Sequence, residues 1–245
     1  MKICVVGVGD AFSVKHWGTS FLVQNEGATI AVDCPDSYFR ALSESGFGVT
    51  ADDLDALVLT HLHGDHVNGL EMTLAWRKFV TKKRLTIFTT PEVAQVLWDG
   101  RLKASIGTMY DGQDYNTMDL ADYADVHVVD WGRPTGLPGG LTVETRRTIH
   151  HIPTAALRLT SDDAVFAHSC DTAWDPTLVE WLGTADTFFH EANFGPAHTP
   201  IETLAGLDRS LREKMHVVHY SDIIDPSDFP GLKFARQGQV IDVCR

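Results

Sequence analysis

The chain has 245 residues, 44% hydrophobic and 22% charged, with a net charge of −13 when His is neutral. This composition excludes a disordered chain, a collagen-like repeat and a coiled coil. The acidic excess, 33 Asp plus Glu against 20 Lys plus Arg, repels polyanions at long range and argues against a broad nucleic-acid-binding face; it leaves room for one small phosphate ester in a cationic pocket.

The chain opens on Met1-Lys2-Ile3-Cys4-Val5-Val6-Gly7, an apolar run too short for a signal segment. Residues 2–8, 19–24 and 28–33 read as strands, 36–46 as a short helix ended by Gly46, and 55–60 as a buried strand. A helix is expected over 67–79, a strand over 85–90, and a helix over 91–103 with Pro91 in its first turn. Residues 104–138 carry Tyr110, Tyr115 and Tyr123 with little regular pattern, and are expected to cover the site together with Trp17. His16 reads as a solvated loop residue. Strands are expected at 125–130, 140–148, 156–160, 164–169, 186–190, 215–219, 232–235 and 239–243, and helices at 176–182 and 200–213. Runs of strands with helices between some of them suggest two packed sheets covered by helices. No low-complexity tract or long linker divides the chain, so one domain over 1–245 is expected. Cys4, Cys34, Cys170 and Cys244 form no C-x-x-C pair and are read as reduced thiols in a cytoplasmic protein. No stretch approaches the roughly 18 apolar residues of a membrane span.

The chemistry concentrates in His61-Leu62-His63-Gly64-Asp65-His66, four potential metal ligands within six residues. They lie just past a buried strand and before a helix, in a tight turn that Gly64 would permit. Alternate side chains of an extended segment share a face, so His61 and His63 point the same way. Asp65 and His66, at the turn into the helix, can be aimed at a neighbouring point. Imidazole and carboxylate donors suit zinc, manganese or iron.

The string Thr60-His61-Leu62-His63-Gly64-Asp65-His66 resembles the H-x-H-x-D-H signature of the metallo-β-lactamase superfamily. The resemblance implies an α+β fold, a four-layer αββα sandwich, with two divalent metal ions at one edge. His61 and His63 would hold the first ion, Asp65 and His66 the second. The family's other motifs follow in order. Asp33 matches an acid that hydrogen-bonds a ligand histidine from behind. The third ligand is expected at His150, with His151 as the alternative. Asp171, in Ser169-Cys170-Asp171-Thr172, matches the bridging aspartate of an S-G-D-T step, with Cys170 in place of Gly and read as packing. His219 matches the last ligand, and His216 is read as a surface or lateral residue. Phe189-His190-Glu191-Ala192-Asn193 resembles the H-E-A-T motif of the ribonuclease Z branch, which implies His198 as general acid with Glu191 orienting it. Asp65 or Asp171 would orient the nucleophile.

The machinery implies hydrolysis without fixing the bond. Ribonuclease Z carries an arm for tRNA between the third and fourth motifs, but here His150 to Asp171 spans 21 positions, enough for two strands and a turn. The Tyr220-Ser221-Asp222 step also lacks that branch's Arg-Tyr pair. These departures favour a phosphodiesterase acting on a small phosphodiester, as in the arm-less cyclic phosphodiesterases. A lactone, thioester or other carboxylic ester is the alternative; tRNA 3′ processing and a non-catalytic metal-binding protein rank lower. A redox di-iron centre would carry an acid where His63 stands, which favours zinc. The partner is expected to be a small-molecule ester, not long nucleic acid or a membrane, and the branch's habit suggests a homodimer.

Overall fold

The computed structural model describes residues 1–244. β1 (Lys2–Gly7), β2 (Ser20–Asn25) and β3 (Ala28–Val32) are followed by α1 (Tyr38–Glu44). β4 (Ala56–Leu59) leads into the short α2 (Gly64–Val67) and α3 (Leu70–Trp76). Next come β5 (Leu85–Thr89), α4 (Pro91–Leu97), α5 (Lys103–Ile106), the hairpin β6 (Thr108–Tyr110) and β7 (Tyr115–Thr117), and β8 (Ala124–Val128). β9 (Thr135–Leu137), β10 (Leu141–Arg147), β11 (Ala155–Thr160) and β12 (Val165–His168) begin the second half. α6 (Pro176–Gly183), β13 (Thr187–Glu191), α7 (Ile201–Ala205), α8 (Arg209–Lys214), β14 (Met215–Val218) and β15 (Val240–Asp242) complete it.

One sheet runs β15-β1-β2-β3-β4-β5-β8 and the other β14-β13-β12-β11-β10-β9. Strand alternation sorts side chains between two cores. Ile3 and Val5 of β1, Ile30 and Val32 of β3, and Ala56 and Val58 of β4 meet Leu157, Leu159, Phe166 and Phe188 between the sheets. Cys4, Val6, Ala31, Leu57 and Leu59 face outward, under Tyr38 and Leu42 of α1 and Leu70 and Leu74 of α3. On the other side α6 lies against β13 and α8 against β14. The result is the helix–sheet–sheet–helix sandwich, an α+β architecture. Among the described residues all four cysteines are free, and no helix is long and apolar enough to cross a membrane.

Four local expectations are corrected. The helix over 67–79 divides: α2 stops at Val67, α3 starts at Leu70, and one π turn covers Arg77–Thr81. Arg77 is drawn inward there because its guanidinium donates to the carbonyls of Ala51 (2.8 Å), Leu54 (3.0 Å) and Arg84 (3.1 Å). The helix over 200–213 breaks after Ala205, where Gly206 takes the C-cap. The strand over 232–235 reduces to one bridge, Phe234 to Val217. Finally, 104–138 is more regular than its sequence, and its β6–β7 hairpin forms a small sheet of its own.

The topology puts strand ends together. β3 and β4 are parallel, as are β12, β13 and β14, so their carboxyl ends open at one edge of the sandwich, where ligands of open parallel sheets bind. Three non-glycine residues at those ends adopt left-handed backbone: Asp33 (φ 60°), Cys170 (φ 50°) and His219 (φ 53°). Such conformations cost on the order of 1 kcal/mol each and persist where the surroundings over-determine them.

Candidate metal centre

His61 and His63 follow β4 directly, and Asp65 and His66 lie on α2. His63 is the extended N-cap of α2 (φ −65°, ψ 149°). Gly64 is not in left-handed backbone; its missing Cβ instead makes room for Asn68, whose Nδ2 would lie 2.8 Å from it. His150 comes from the β10–β11 turn, Asp171 from beyond β12, and His219 from the end of β14.

Two donor sets result. His61, His63, His150 and Asp171 offer one ligand atom each, all within 4.8 Å of one another, and so do Asp65, His66, Asp171 and His219. Asp171 belongs to both. In the first set His63 Nδ1 lies 3.1 Å from His61 Nε2 and 3.0 Å from His150 Nε2. In the second, His66 Nε2 lies 3.5 Å from Asp65 Oδ2 and 3.3 Å from Asp171 Oδ1. His151 is exposed and stands outside both sets.

Four imidazoles have their outer nitrogen held by an acceptor, which turns Nε2 inward. His66 Nδ1 donates to Asp33 at 2.8 Å, and His150 Nδ1 to the Ala197 carbonyl at 3.1 Å. His61 Nδ1 donates to the Thr60 hydroxyl at 3.0 Å, which itself donates to Asp33 at 2.8 Å. His219 Nδ1 lies 3.3 Å from the Thr19 hydroxyl, which donates to the Gly9 carbonyl at 2.9 Å. Asp33 thus steadies one imidazole in each set. Thr60 and Thr19 were not singled out in the sequence; the only signal for Thr60 is a hydroxyl residue placed directly before the cluster.

The residues fit divalent cations. His66 Nε2 and Asp171 Oδ1 are buried with no hydrogen-bond partner among the described residues, an arrangement costly for polar groups unless a cation compensates them. Burial pushes His61 well below the ordinary imidazole range and takes His150 down to about 4, leaving neutral, lone-pair-bearing rings. Burial also pulls on His66, but the Asp171 and Asp33 carboxylates outweigh it and raise its pKa.

Beside the two sets lies a third feature. Glu191, fully buried at the end of β13, accepts from His198 Nδ1 at 3.0 Å and from the Thr172 amide at 3.0 Å. The His198 ring packs 5.2 Å from His150 and 5.8 Å from His219. Burial lowers its pKa, but the hydrogen bond and charge of Glu191 raise it further than burial takes it down. Cys170 is buried, its Sγ 3.1 Å from Thr60 Oγ1 and 3.6 Å from His61 Nδ1, and burial holds the thiol well above its usual range. His216 is partly buried, not a surface residue, and burial lowers it to about 4. His168 is buried with neither ring nitrogen bonded among the described residues; nothing in the site explains it. None of residues 104–138 lines the cavity beside Asp65; the loop 10–18, Trp17 and His16 included, does so.

This fold and these donor sets define a metal-dependent hydrolase with the metallo-β-lactamase architecture. The solved structure of the metallo-β-lactamase fold protein YhfI from Bacillus subtilis superposes with a TM-score of 0.78 over 98% of both chains at 18% identity. The chain belongs to the family described as Anti-Pycsar protein Apyc1, whose profile matches residues 1–241. It is 29% identical over 250 residues to the Anti-Pycsar protein Apyc1 of Paenibacillus sp. (strain J14), covering 98% of each. It is 30% identical over 256 residues to that of Bacillus phage 010DV004, covering 98% of this chain and 97% of that one.

Proposed function

We propose that this protein is a phosphodiesterase that hydrolyses a small, single phosphodiester, with 3′,5′-cyclic mononucleotides the first candidates. One observation carries the reading: the two donor sets share Asp171 and sit against His198, whose Nδ1 is bound to the buried Glu191 carboxylate, a contact that raises the imidazole pKa. His61, His63, His150 and Asp171 would hold one divalent ion, and Asp65, His66, Asp171 and His219 the other. Five nitrogens among the donors favour zinc, with manganese or iron as alternatives. When bound, the two cations supply Lewis acidity at the phosphoryl oxygens and lower the pKa of a water.

The chain's own residues do the rest. Asp65, the one carboxylate of the second set not shared with the first, orients the attacking oxygen. His198 protonates the departing alkoxide, a step that a poor leaving group needs. Glu191 fixes the ring so that Nδ1–H faces the carboxylate and Nε2 faces the centre, and its charge keeps the second proton in place. The net charge of −13 and the short His150 to Asp171 connection both favour a small ester over tRNA.

The test is hydrolysis of bis-p-nitrophenyl phosphate by zinc- or manganese-loaded protein, beside a lactone and a thioester. Turnover of the phosphodiester that a chelator abolishes supports the reading. Turnover of the lactone or thioester alone would move the function to acyl hydrolysis on the same centre.

A further inference from the structure

A cavity of about 550 Å³ opens at the outer edge of the second sheet, where the segment after Leu232 bridges to β14 through Phe234 and Val217. Its lining shares no residue with either metal donor set. We propose that this cavity binds a small phosphate monoester carrying an apolar group, with Lys233 and Arg236 on the phosphate. The site stands whatever bond the metal centre cleaves.

Charge is the first reason. The chain has 33 Asp plus Glu against 20 Lys plus Arg, yet no carboxylate lines this cavity, while Lys233 and Arg236 do. Both cations are exposed, and neither makes a salt bridge among the described residues. The Lys233 ammonium donates to the Glu213 backbone carbonyl, and the Glu213 carboxylate is taken by Arg209 at 2.7 Å. The Asp225 carboxylate, beside the rim residue Pro226, accepts from the Ser227 amide at 2.8 Å. Two cations without a counter-charge on one cavity gain from an anion placed between them. The Arg fork fits two oxygens of a phosphate, and the Lys ammonium acts as a point charge.

The remaining polar groups are donors too. Gln239 Oε1 accepts from the Arg236 backbone N–H at 3.0 Å, which leaves the amide NH2 to donate. His216 lines the cavity with its Nδ1 buried and unpartnered among the described residues. Leu232 and Phe234 add an apolar wall, and Phe234 is fixed by an edge-to-face contact with Tyr220 at 5.2 Å. The volume lies within the roughly 300–1,000 Å³ typical of small-molecule sites.

The frame is preformed, which lowers the ordering cost of binding. The Val217 N–H donates to the Lys233 carbonyl at 2.7 Å and the Ala235 N–H to the Val217 carbonyl at 3.0 Å. The Tyr220 hydroxyl donates to the Ala235 carbonyl at 3.1 Å. The residues on either side of both cations are thus tied to β14 or its end.

The probe is benzylphosphonate, which cannot be hydrolysed, titrated into the zinc-loaded protein at low salt by calorimetry and by NMR of the histidine rings. The His216 ring signals should shift as the cavity fills, which separates this site from phosphonate held at the metal centre. Lys233→Gln with Arg236→Gln should weaken the His216-reporting binding at least about 10-fold, and Arg236→Glu alone should do the same. Lys2→Gln with Lys83→Gln, which removes two exposed cations elsewhere, should leave it within about twofold. Methylphosphonate should bind more weakly than benzylphosphonate, and benzyl alcohol should leave the His216 signals in place. Saturating benzylphosphonate that leaves the His216 signals unmoved would overturn the site. So would equal losses in the two double variants, and equal affinity for the two phosphonates would overturn the apolar half of the assignment.

Discussion

Burial and charge drive two neighbouring imidazoles apart. His150, buried with only a backbone carbonyl as outer partner, is pushed down to about 4 and stays neutral. His198, 5.2 Å from it, is partly buried and faces Glu191, which raises its pKa. The proposed roles, a metal donor at His150 and a general acid at His198, use this separation of pKa values. His198→Ala should therefore slow a substrate with a poor leaving group by about 10²–10⁴-fold, and p-nitrophenolate departure far less. Because the His198 proton is retained to a raised pKa, the rate on a poor leaving group should hold at lower pH and fall as pH climbs through that value. Glu191→Gln should shift the fall to lower pH; an unshifted profile would contradict the pairing. The contiguous candidate donors His61, His63, Asp65 and His66 were legible because one short segment carries all four. Asp33, Asp171 and His219 were legible only as motifs in order, since their convergence depends on strand pairing. His150 and His151 are adjacent in sequence, and the fold separates them: His150 reaches the first donor set while His151 is exposed outside both. Thr60 and Thr19 left almost no trace, because an outer hydroxyl partner is defined by contact alone.

The long core strands were read well from sequence, and the helices and short strands less well, for a physical reason. The β1, β3 and β4 runs are apolar on both faces because each lies between two cores, and that pattern is local. The break between α2 and α3 and the turn at Arg77 depend on distant carbonyls, which no local period encodes. Arg77 bridges three such carbonyls from a buried position. Arg77→Lys cannot span them with a single ammonium and should cost about 2 kcal/mol in urea unfolding; a loss below about 0.5 kcal/mol would show that the turn stands without them. On β13, His190 is fully buried and lowered by that burial to about 4, although the hydrogen bond to the Glu191 carbonyl at 2.8 Å works the other way. The unfolded chain binds a proton near 6.5 that the folded one refuses until about 4. Stability should therefore fall as pH drops across that window, by on the order of 3 kcal/mol. His190→Phe should flatten the slope, as measured by denaturant unfolding at several pH values.

The whole molecule is a frame that brings the carboxyl ends of parallel strands from two sheets to one edge. Neither sheet completes the centre. The first supplies His61, His63, Asp65 and His66, and the second supplies Asp171 and His219, with His150 from the β10–β11 turn. Bound cations would therefore cross-link the two halves and stabilise the folded chain by mass action, about 4 kcal/mol at a free concentration 1,000 times Kd. A chelator should lower Tm, and His61→Ala with His63→Ala should remove most of that dependence.

The most direct measurement is a zinc titration of chelator-stripped protein, with bound metal and hydrolysis of a phosphodiester read on the same samples. The account predicts that activity is absent without metal and saturates at two ions per chain, and that Asp171→Asn weakens both binding steps together. Full activity without metal, or saturation at one ion with Asp171→Asn leaving binding intact, would contradict it.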